Sequence, residues 1–110
     1  MRLSPKELAA ITKAFSAVLA DIAYQLYLFG SRADDLKKGG DIDLLVIVTA
    51  DRKSAVVERK IQLREAIFQR IPEQRIDITV ASNSETQTDT FLLSILPAAL
   101  LLDEQLPSKQ

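Results

Sequence analysis

The chain has 110 residues, 47% of them apolar and 26% charged, which fits one globular domain and excludes a disordered chain, a collagen-like repeat and a coiled coil. Fourteen Lys and Arg against fifteen Asp and Glu leave a net charge of −1, which excludes a strong overall electrostatic attraction to nucleic acid or anionic lipid. Cysteine and histidine are absent, so any chemistry must use carboxylates, hydroxyls, amines, backbone groups or a bound metal.

The N-terminal residues 1–7 are charged where a signal peptide requires an apolar stretch. No apolar run approaches the length of a membrane span. The sequence therefore predicts a cytoplasmic protein that does not enter a membrane.

The first predicted elements are a helix and a strand. Ser4, Pro5 and Glu7 form the signature of a capping box at a helix start, and apolar residues then recur at helical spacing to an end near Asp21. The run Tyr24–Phe29 is aromatic and aliphatic and is stopped by Gly30, which predicts a strand.

The middle of the chain predicts strand, helix and strand. Residues 44–48 are apolar without alternation, which is typical of a central strand covered on both faces. Residues 54–71 predict a helix that Pro72 ends, and no partner is evident for Arg64 on its apolar face. The apolar residues assigned to that face are Val57, Ile61, Ile67, Phe68 and Ile71. Residues 75–80 alternate clearly and predict a further strand.

Residues 90–96 predict a last helix, and residues 98–102 predict a short final strand. The order of elements predicts an α/β (α+β) fold, in which helices pack on a small mixed sheet of three to four strands. We expect a single domain over residues 1–102 and a flexible tail over residues 103–110.

All three glycines, Gly30, Gly39 and Gly40, lie in the loop between the first two strands. Glycine is needed where φ is positive or where backbone must approach a ligand, so this loop is the first site candidate. Gly30 and Ser31 precede a predicted helical turn over residues 32–36, whose free N–H groups would face an anion such as phosphate. Alternatively, Ser31 simply caps that turn, with Asp34 in the reciprocal position.

Asp41 and Asp43 are two residues apart at the start of the second strand, so their side chains leave the same face with Cα atoms about 6.5 Å apart. Like charges so close need a compensating cation, and Mg²⁺ is a hard ion that prefers oxygen ligands. The alternative is a strand that begins at the surface with two solvated aspartates.

Asp77 lies between Ile76 and Ile78 in the alternating strand, on the face shared by Arg75 and Thr79. If this strand pairs beside the Asp43 strand, three carboxylates converge, and they could hold two Mg²⁺ ions on a nucleoside triphosphate. The alternative is an edge-strand aspartate paired with Arg75.

The joint pattern resembles a minimal nucleotidyltransferase domain of the DNA polymerase β superfamily. It consists of Gly30-Ser31, nine residues, Asp41-Ile42-Asp43 leading into an apolar strand, and Asp77 in an alternating strand. The resemblance implies a palm-like fold, triphosphate binding by Gly30, Ser31 and Arg32, and a catalytic metal site of Asp41, Asp43 and Asp77. It also implies ATP as substrate, two Mg²⁺ ions and transfer of a nucleoside monophosphate to a hydroxyl.

Stand-alone prokaryotic members of that family often act as antitoxins paired with a small helical HEPN-domain toxin, and some adenylylate it. The loop departs from the usual pattern because Asp34 and Asp35 stand where the family has Arg and Gly, and because Gly40 precedes Asp41. Two added carboxylates oppose triphosphate binding unless they face solvent, and Arg32, Lys37 and Lys38 offer compensating charge.

The leading hypothesis is a Mg²⁺-dependent nucleotidyltransferase that transfers AMP from ATP to a hydroxyl of a HEPN-type partner. Nucleic acid is not an expected partner, because the chain has no basic stripe and no aromatic platform beyond Tyr24 and Tyr27. The alternative is a catalytically silent module that neutralises its partner by contact through the leucine-rich residues 91–102, which otherwise belong to the core. Both hypotheses are compatible with a homo- or hetero-oligomer. A nucleotide or magnesium sensor is a third alternative.

Overall fold

The computed structural model describes residues 1–34 and 40–106. The helical turn predicted over residues 32–36 therefore lies only in part within the described residues. Four other residues of the loop that the sequence analysis singled out lie outside them: Asp35, Lys37, Lys38 and Gly39. Residues 107–110 of the predicted tail also lie outside them.

Four helices and four strands make up the described part of the chain, together with short 3-10 turns. In chain order they are α1 (Pro5–Val18), β1 (Tyr24–Phe29), β2 (Ile42–Val48), α2 (Lys53–Glu58), α3 (Lys60–Phe68), β3 (Ile76–Ser82), α4 (Thr90–Ile95) and β4 (Leu100–Gln105). The strands form one mixed sheet in the order β3-β2-β1-β4. Strand β1 is antiparallel to β2 and β4, whereas β2 and β3 are parallel. The predicted α/β fold is confirmed.

Helix α1 begins as its sequence predicts. Ser4 Oγ accepts the Glu7 amide at 3.0 Å, and Glu7 Oε1 accepts the Ser4 amide at 2.9 Å. The helix ends at Val18, three residues before the predicted end, and Gln105 Nε2 donates to the carbonyl of Leu19 at 2.7 Å just beyond it. The last strand therefore caps the first helix.

The two faces of the sheet are covered unequally. Helices α1, α2 and α3 bury one face in the main core, where Phe15, Leu44 and Leu63 are fully buried. A smaller cluster on the other face joins Leu45 and Ile47 of β2 to Leu92 of α4. Strand β2 is thus covered on both faces, as its unbroken apolar run predicts.

The predicted helix over residues 54–71 is wrong in two respects. The chain is divided at Arg59 into α2 and α3, and the buried residues are Val56, Leu63 and Ile67. Ile61, expected in the core, is 68% exposed. Arg64 finds its partner in the backbone, because its Nε donates to the carbonyl of Ile76 at 3.0 Å on the edge strand β3.

The C-terminal predictions also need correction. The tail predicted from Asp103 begins too early, because Asp103, Glu104 and Gln105 pair with β1. Residues 91–102 are not ordinary core: Leu92 is buried, but Phe91 is 48% exposed and Leu101 is 53% exposed. Within the described ranges no helix is both long enough and apolar enough to span a membrane.

Candidate active site

Asp43 and Asp77 lie directly side by side on the two parallel strands. The register pairs Asp43 of β2 with Asp77 of β3 and, on the other side, with Phe29 of β1. Cross-strand neighbours point to the same face, and neighbouring strands lie about 4.8 Å apart. The two carboxylates therefore emerge together on the α4 side of the sheet, which meets the condition that the sequence analysis attached to Asp77.

Arg75 joins the third carboxylate to this pair. Its Nε lies 3.5 Å from Asp41 Oδ2 and 3.7 Å from Asp77 Oδ2. The side chains of Asp41 and Asp77 are 49% and 50% exposed, so these are weak ion pairs that solvent screens. The expected pairing of Arg75 with Asp77 and the convergence of Asp77 with Asp43 coexist, and the bridge to Asp41 is a contact that sequence reasoning missed.

Asp43, like the other two carboxylates, is half-buried. Burial raises its pKa above the ordinary value, and the negative charges of Asp77 and Asp41 raise it further, while Arg75 acts in the opposite direction. The folded protein therefore holds a carboxylate whose charged form is disfavoured and would be stabilised by a cation.

Gly30 closes the site against Asp43. Its φ is +76°, in the left-handed region, and a Cβ at this position would lie 2.5 Å from Asp43 Oδ2. Both the backbone conformation and the close approach require glycine. The prediction that glycine marks unusual backbone geometry in this loop is confirmed at Gly30.

The backbone after Gly30 differs from the predicted turn. Residues Gly30–Ala33 form a short 3-10 turn without a side-chain cap, and Asp34 is extended. The alternative in which Ser31 caps the turn is therefore not supported, because Ser31 lies inside the 3-10 turn, and the predicted helical turn does not continue through Asp34. The amide of Asp34 instead donates to the carbonyl of Ser31 at 3.3 Å.

Arg32 points its guanidinium at protein acceptors. Its Nη1 donates to the carbonyl of Arg2 at 2.8 Å, and its Nη2 donates to the carbonyl of Gly40 at 3.0 Å. The side chain is only 15% exposed. Both Nη groups therefore donate within the protein, which differs from the phosphate contact expected for Arg32, whereas its buried Nε has no hydrogen-bond partner among the described residues.

An open cleft of about 610 Å³ adjoins the glycine turn. Its walls come from the turn on one side and from the end of α4 and the segment after it on the other, and the residues are Gly30, Ser31, Ala33, Asp34, Ser94, Ile95 and Ala98. The second wall could not be found from the sequence, because it depends on how α4 packs on the sheet. Phe91 of α4 contacts Phe29 edge to face, with ring centroids 5.9 Å apart, and this contact fixes that wall.

The three carboxylates fit a hard divalent cation by their chemistry, and the space beside Gly30 is one that a Cβ would fill. As the side chains stand, no group of three Asp or Glu among residues 1–34 and 40–106 is arranged to hold a metal ion. A cation bound here would require the carboxylates to turn and Arg75 to leave them.

Adjacent carboxylates thus lie beside a glycine turn, on a mixed sheet with helices packed on it. The chain belongs to the nucleotidyltransferase domain family, whose family model matches residues 9–96. The coarser prediction, a nucleotidyltransferase, is thereby confirmed.

The chain is also similar to a protein from Sulfolobus solfataricus described as a candidate nucleotidyltransferase. The two are 18% identical, the match covers 91% of this chain and 85% of that one, and the TM-score is 0.49. None of the curated proteins with which the chain was compared matches it.

Proposed function

We propose that the chain is a Mg²⁺-dependent nucleotidyltransferase that transfers AMP from ATP to a hydroxyl group of a partner protein. The observation that carries the proposal is the registered pair Asp43 and Asp77, facing one side of the sheet, with Gly30 closed against Asp43. Family membership supports nucleotidyl transfer in general. The metal, the nucleotide and the acceptor are parts of this proposal.

Each residue has a defined role in the proposed reaction. Asp41, Asp43 and Asp77 would hold Mg²⁺, which supplies charge neutralisation for the phosphates and lowers the pKa of the attacking hydroxyl. Gly30 and Ser31 bind the triphosphate in the adjoining cleft. The acceptor oxygen forms a bond to the α-phosphorus, the bond to the bridging oxygen breaks, and pyrophosphate leaves. Asp77, which keeps half of its surface in water, takes up the hydroxyl proton.

A protein acceptor fits the described surface better than a nucleic acid. The net charge of −1 gives no general attraction for a polyanion, and Tyr24 is buried in the main core, so it offers no stacking platform. The proposed partner is the small helical HEPN-type toxin that the sequence resemblance implies, with this chain as its antitoxin.

The experiment is a transfer assay with ATP labelled at the α-phosphate, Mg²⁺ and the product of the adjacent reading frame. Transfer of label to the partner is expected, and Asp41→Asn and Asp43→Ala should abolish it. Asp51→Asn is the matched control, because Asp51 is an exposed aspartate beyond the opposite end of β2. Absence of label on any partner, or undiminished transfer by Asp41→Asn, contradicts the proposal.

A second candidate function is a silent binding module that neutralises its partner by contact. The exposure of Phe91, Leu93 and Leu101 favours it, because these apolar side chains form part of the described surface. Protection of the partner that survives Asp43→Ala and is lost in Leu101→Ser would favour this candidate over transfer.

A further inference from the structure

Arg32 is the centre of a hydrogen-bond network that the proposed reaction does not use. Besides the carbonyls of Arg2 and Gly40, its Nη2 reaches Gln74 Oε1 at 3.4 Å. Its Nη1 lies 3.6 Å from Glu7 Oε1, in the first turn of α1. One mostly buried side chain therefore contacts three parts of the chain, which are residues 2–7, Gly40 and Gln74.

The contacts of Arg32 fall beside residues of the site. Gly40 directly precedes Asp41, and Gln74 directly precedes Arg75, whose carbonyl accepts the amide of Ile42 at 3.1 Å. The parallel pairing of β2 and β3, which places Asp43 beside Asp77, begins at Ile42. Arg32 thus holds the starts of both strands that carry the carboxylates.

The N-terminal segment completes the network. Arg2 Nη2 donates to the carbonyl of Ser31 at 3.1 Å, and the amide of Arg2 donates to the carbonyl of Arg32 at 2.8 Å. Gln74 is fixed in turn, because its Nε2 donates to Glu7 Oε2 at 3.1 Å. The glycine turn and the strand starts are therefore connected to α1 through one arginine.

We propose that Arg32 is a positioning residue, which sets the glycine turn and the starts of β2 and β3 relative to one another, and is not a phosphate ligand. This inference rests on the proposed function for its catalytic consequence. A planar guanidinium with several donors suits the task, because it bonds acceptors on separate segments at once. Binding a phosphate through either Nη group would require Arg32 to leave these acceptors or its Glu7 partner.

Amide hydrogen exchange on the protein alone tests the inference without any reaction. In Arg32→Ala the Ile42 amide should exchange at least about tenfold faster relative to the amide of Val46, since a charge-assisted contact supporting the strand start is lost. Arg32→Lys should not restore the slow rate, because an ammonium group cannot reproduce the fork. An unchanged Ile42 to Val46 ratio in Arg32→Ala overturns the proposal.

Arg59→Ala is the matched control. Arg59 also bonds a backbone carbonyl, that of Val18 at 3.1 Å, and a carboxylate, that of Asp21, but at the other end of the sheet. It should leave the Ile42 to Val46 ratio unchanged. Gln74→Ala, a milder variant should Arg32→Ala fail to fold, should speed Ile42 exchange by a smaller factor, and no acceleration there contradicts the network.

Kinetics then separate positioning from phosphate binding. For a positioning residue, Arg32→Ala lowers kcat about tenfold or more while the ratio of ATP to AMP affinity stays near that of the wild type. For a phosphate ligand, that ratio falls instead and Gln74→Ala has no effect, which overturns the inference. A wild-type protein that fails to transfer refutes the proposed function, and the exchange result still decides the role of Arg32 in the fold.

Discussion

At Gly30 the main chain comes so close to Asp43 that the carboxylate leaves no room for a Cβ. The positive φ and the missing Cβ are separate reasons for glycine, and both act on the same residue. An alanine there would move the carboxylate, the turn or both. Gly30 therefore controls where Asp43 Oδ2 lies.

We predict that Gly30→Ala costs about 1–2 kcal/mol from the left-handed backbone alone and lowers transfer strongly, because the new methyl group displaces Asp43. Gly40→Ala is the control, since a Cβ at Gly40 meets nothing within 4 Å. Urea unfolding and the transfer assay measure the two effects. Equal losses in both variants would contradict this explanation.

The charged form of Asp43 should reduce the stability of the fold, because burial disfavours it. Its pKa is raised from 3.8, so its contribution to stability is fully present below pH 3.8 and is lost as pH rises through the folded-state pKa. We predict that Asp43→Asn unfolds at a higher temperature than the wild type at pH 7, and that the difference disappears below about pH 3.8.

Asp51→Asn serves as the comparison with the opposite sign. A hydrogen bond with the Thr49 side chain is the main cause that lowers the pKa of Asp51, so its charged form stabilises the fold at pH 7. Its replacement should lower the melting temperature there. If Asp43→Asn also melts lower at pH 7, burial is not the dominant influence on Asp43.

Much of the site could be predicted from single residues, because strand alternation fixes which side chains share a face. Asp43 and Asp77 follow that rule. The direction of Arg32 does not, because its acceptors at Arg2, Gly40 and Gln74 are brought together only by the complete fold. The sequence placed Arg32 beside a glycine turn, and the resemblance therefore assigned it to phosphate binding.

At the scale of elements, Glu85 connects the end of β3 to the start of α2. Its Oε1 accepts the Ser82 amide at 2.9 Å and the Lys53 ammonium at 2.8 Å. These contacts, the Lys53 hydrogen bond first, lower its pKa from 4.5 to about 2. Its contribution to stability is thus present above pH 4.5 and is lost as pH falls towards 2.

We predict that Glu85→Gln lowers the melting temperature by a few degrees at pH 7 and matches the wild type near pH 2. Thermal unfolding followed by circular dichroism measures this. Glu73→Gln, at an exposed loop glutamate before β3, is the control and should melt as the wild type does at both pH values. A pH-independent deficit in Glu85→Gln would indicate packing instead of charge.

The strands could be predicted more closely than the helices. Strand β2 is a continuous apolar run, and β3 alternates, so both have patterns with little ambiguity. The segment of α2 and α3 carries apolar residues in two helical phases. Val56, Leu63 and Ile67 have the spacing of one helical face and are buried, whereas Ile61 belongs to the other phase and is exposed. Periodicity alone does not tell which of two apolar phases faces the core.

At the scale of the molecule, the core is concentrated on one side of the sheet. Phe15 is fully buried there, whereas Phe91 on the α4 side is 48% exposed. We predict that Phe15→Ala costs about 3–5 kcal/mol in the free energy of unfolding and that Phe91→Ala costs clearly less. Urea denaturation gives both values. Similar costs would mean that the α4 side contributes as much to the core as the helical side.

The side chains of Asp41 and Asp77 are half exposed to solvent, so a nucleotide bound beside them would also be in contact with water. Water is the competing nucleophile wherever a reacting phosphate is left wet. In the proposed reaction the docked partner therefore excludes water from the reacting phosphate, which this small sheet cannot do alone. We expect the chain alone to hydrolyse ATP slowly, and we expect added partner to suppress that hydrolysis.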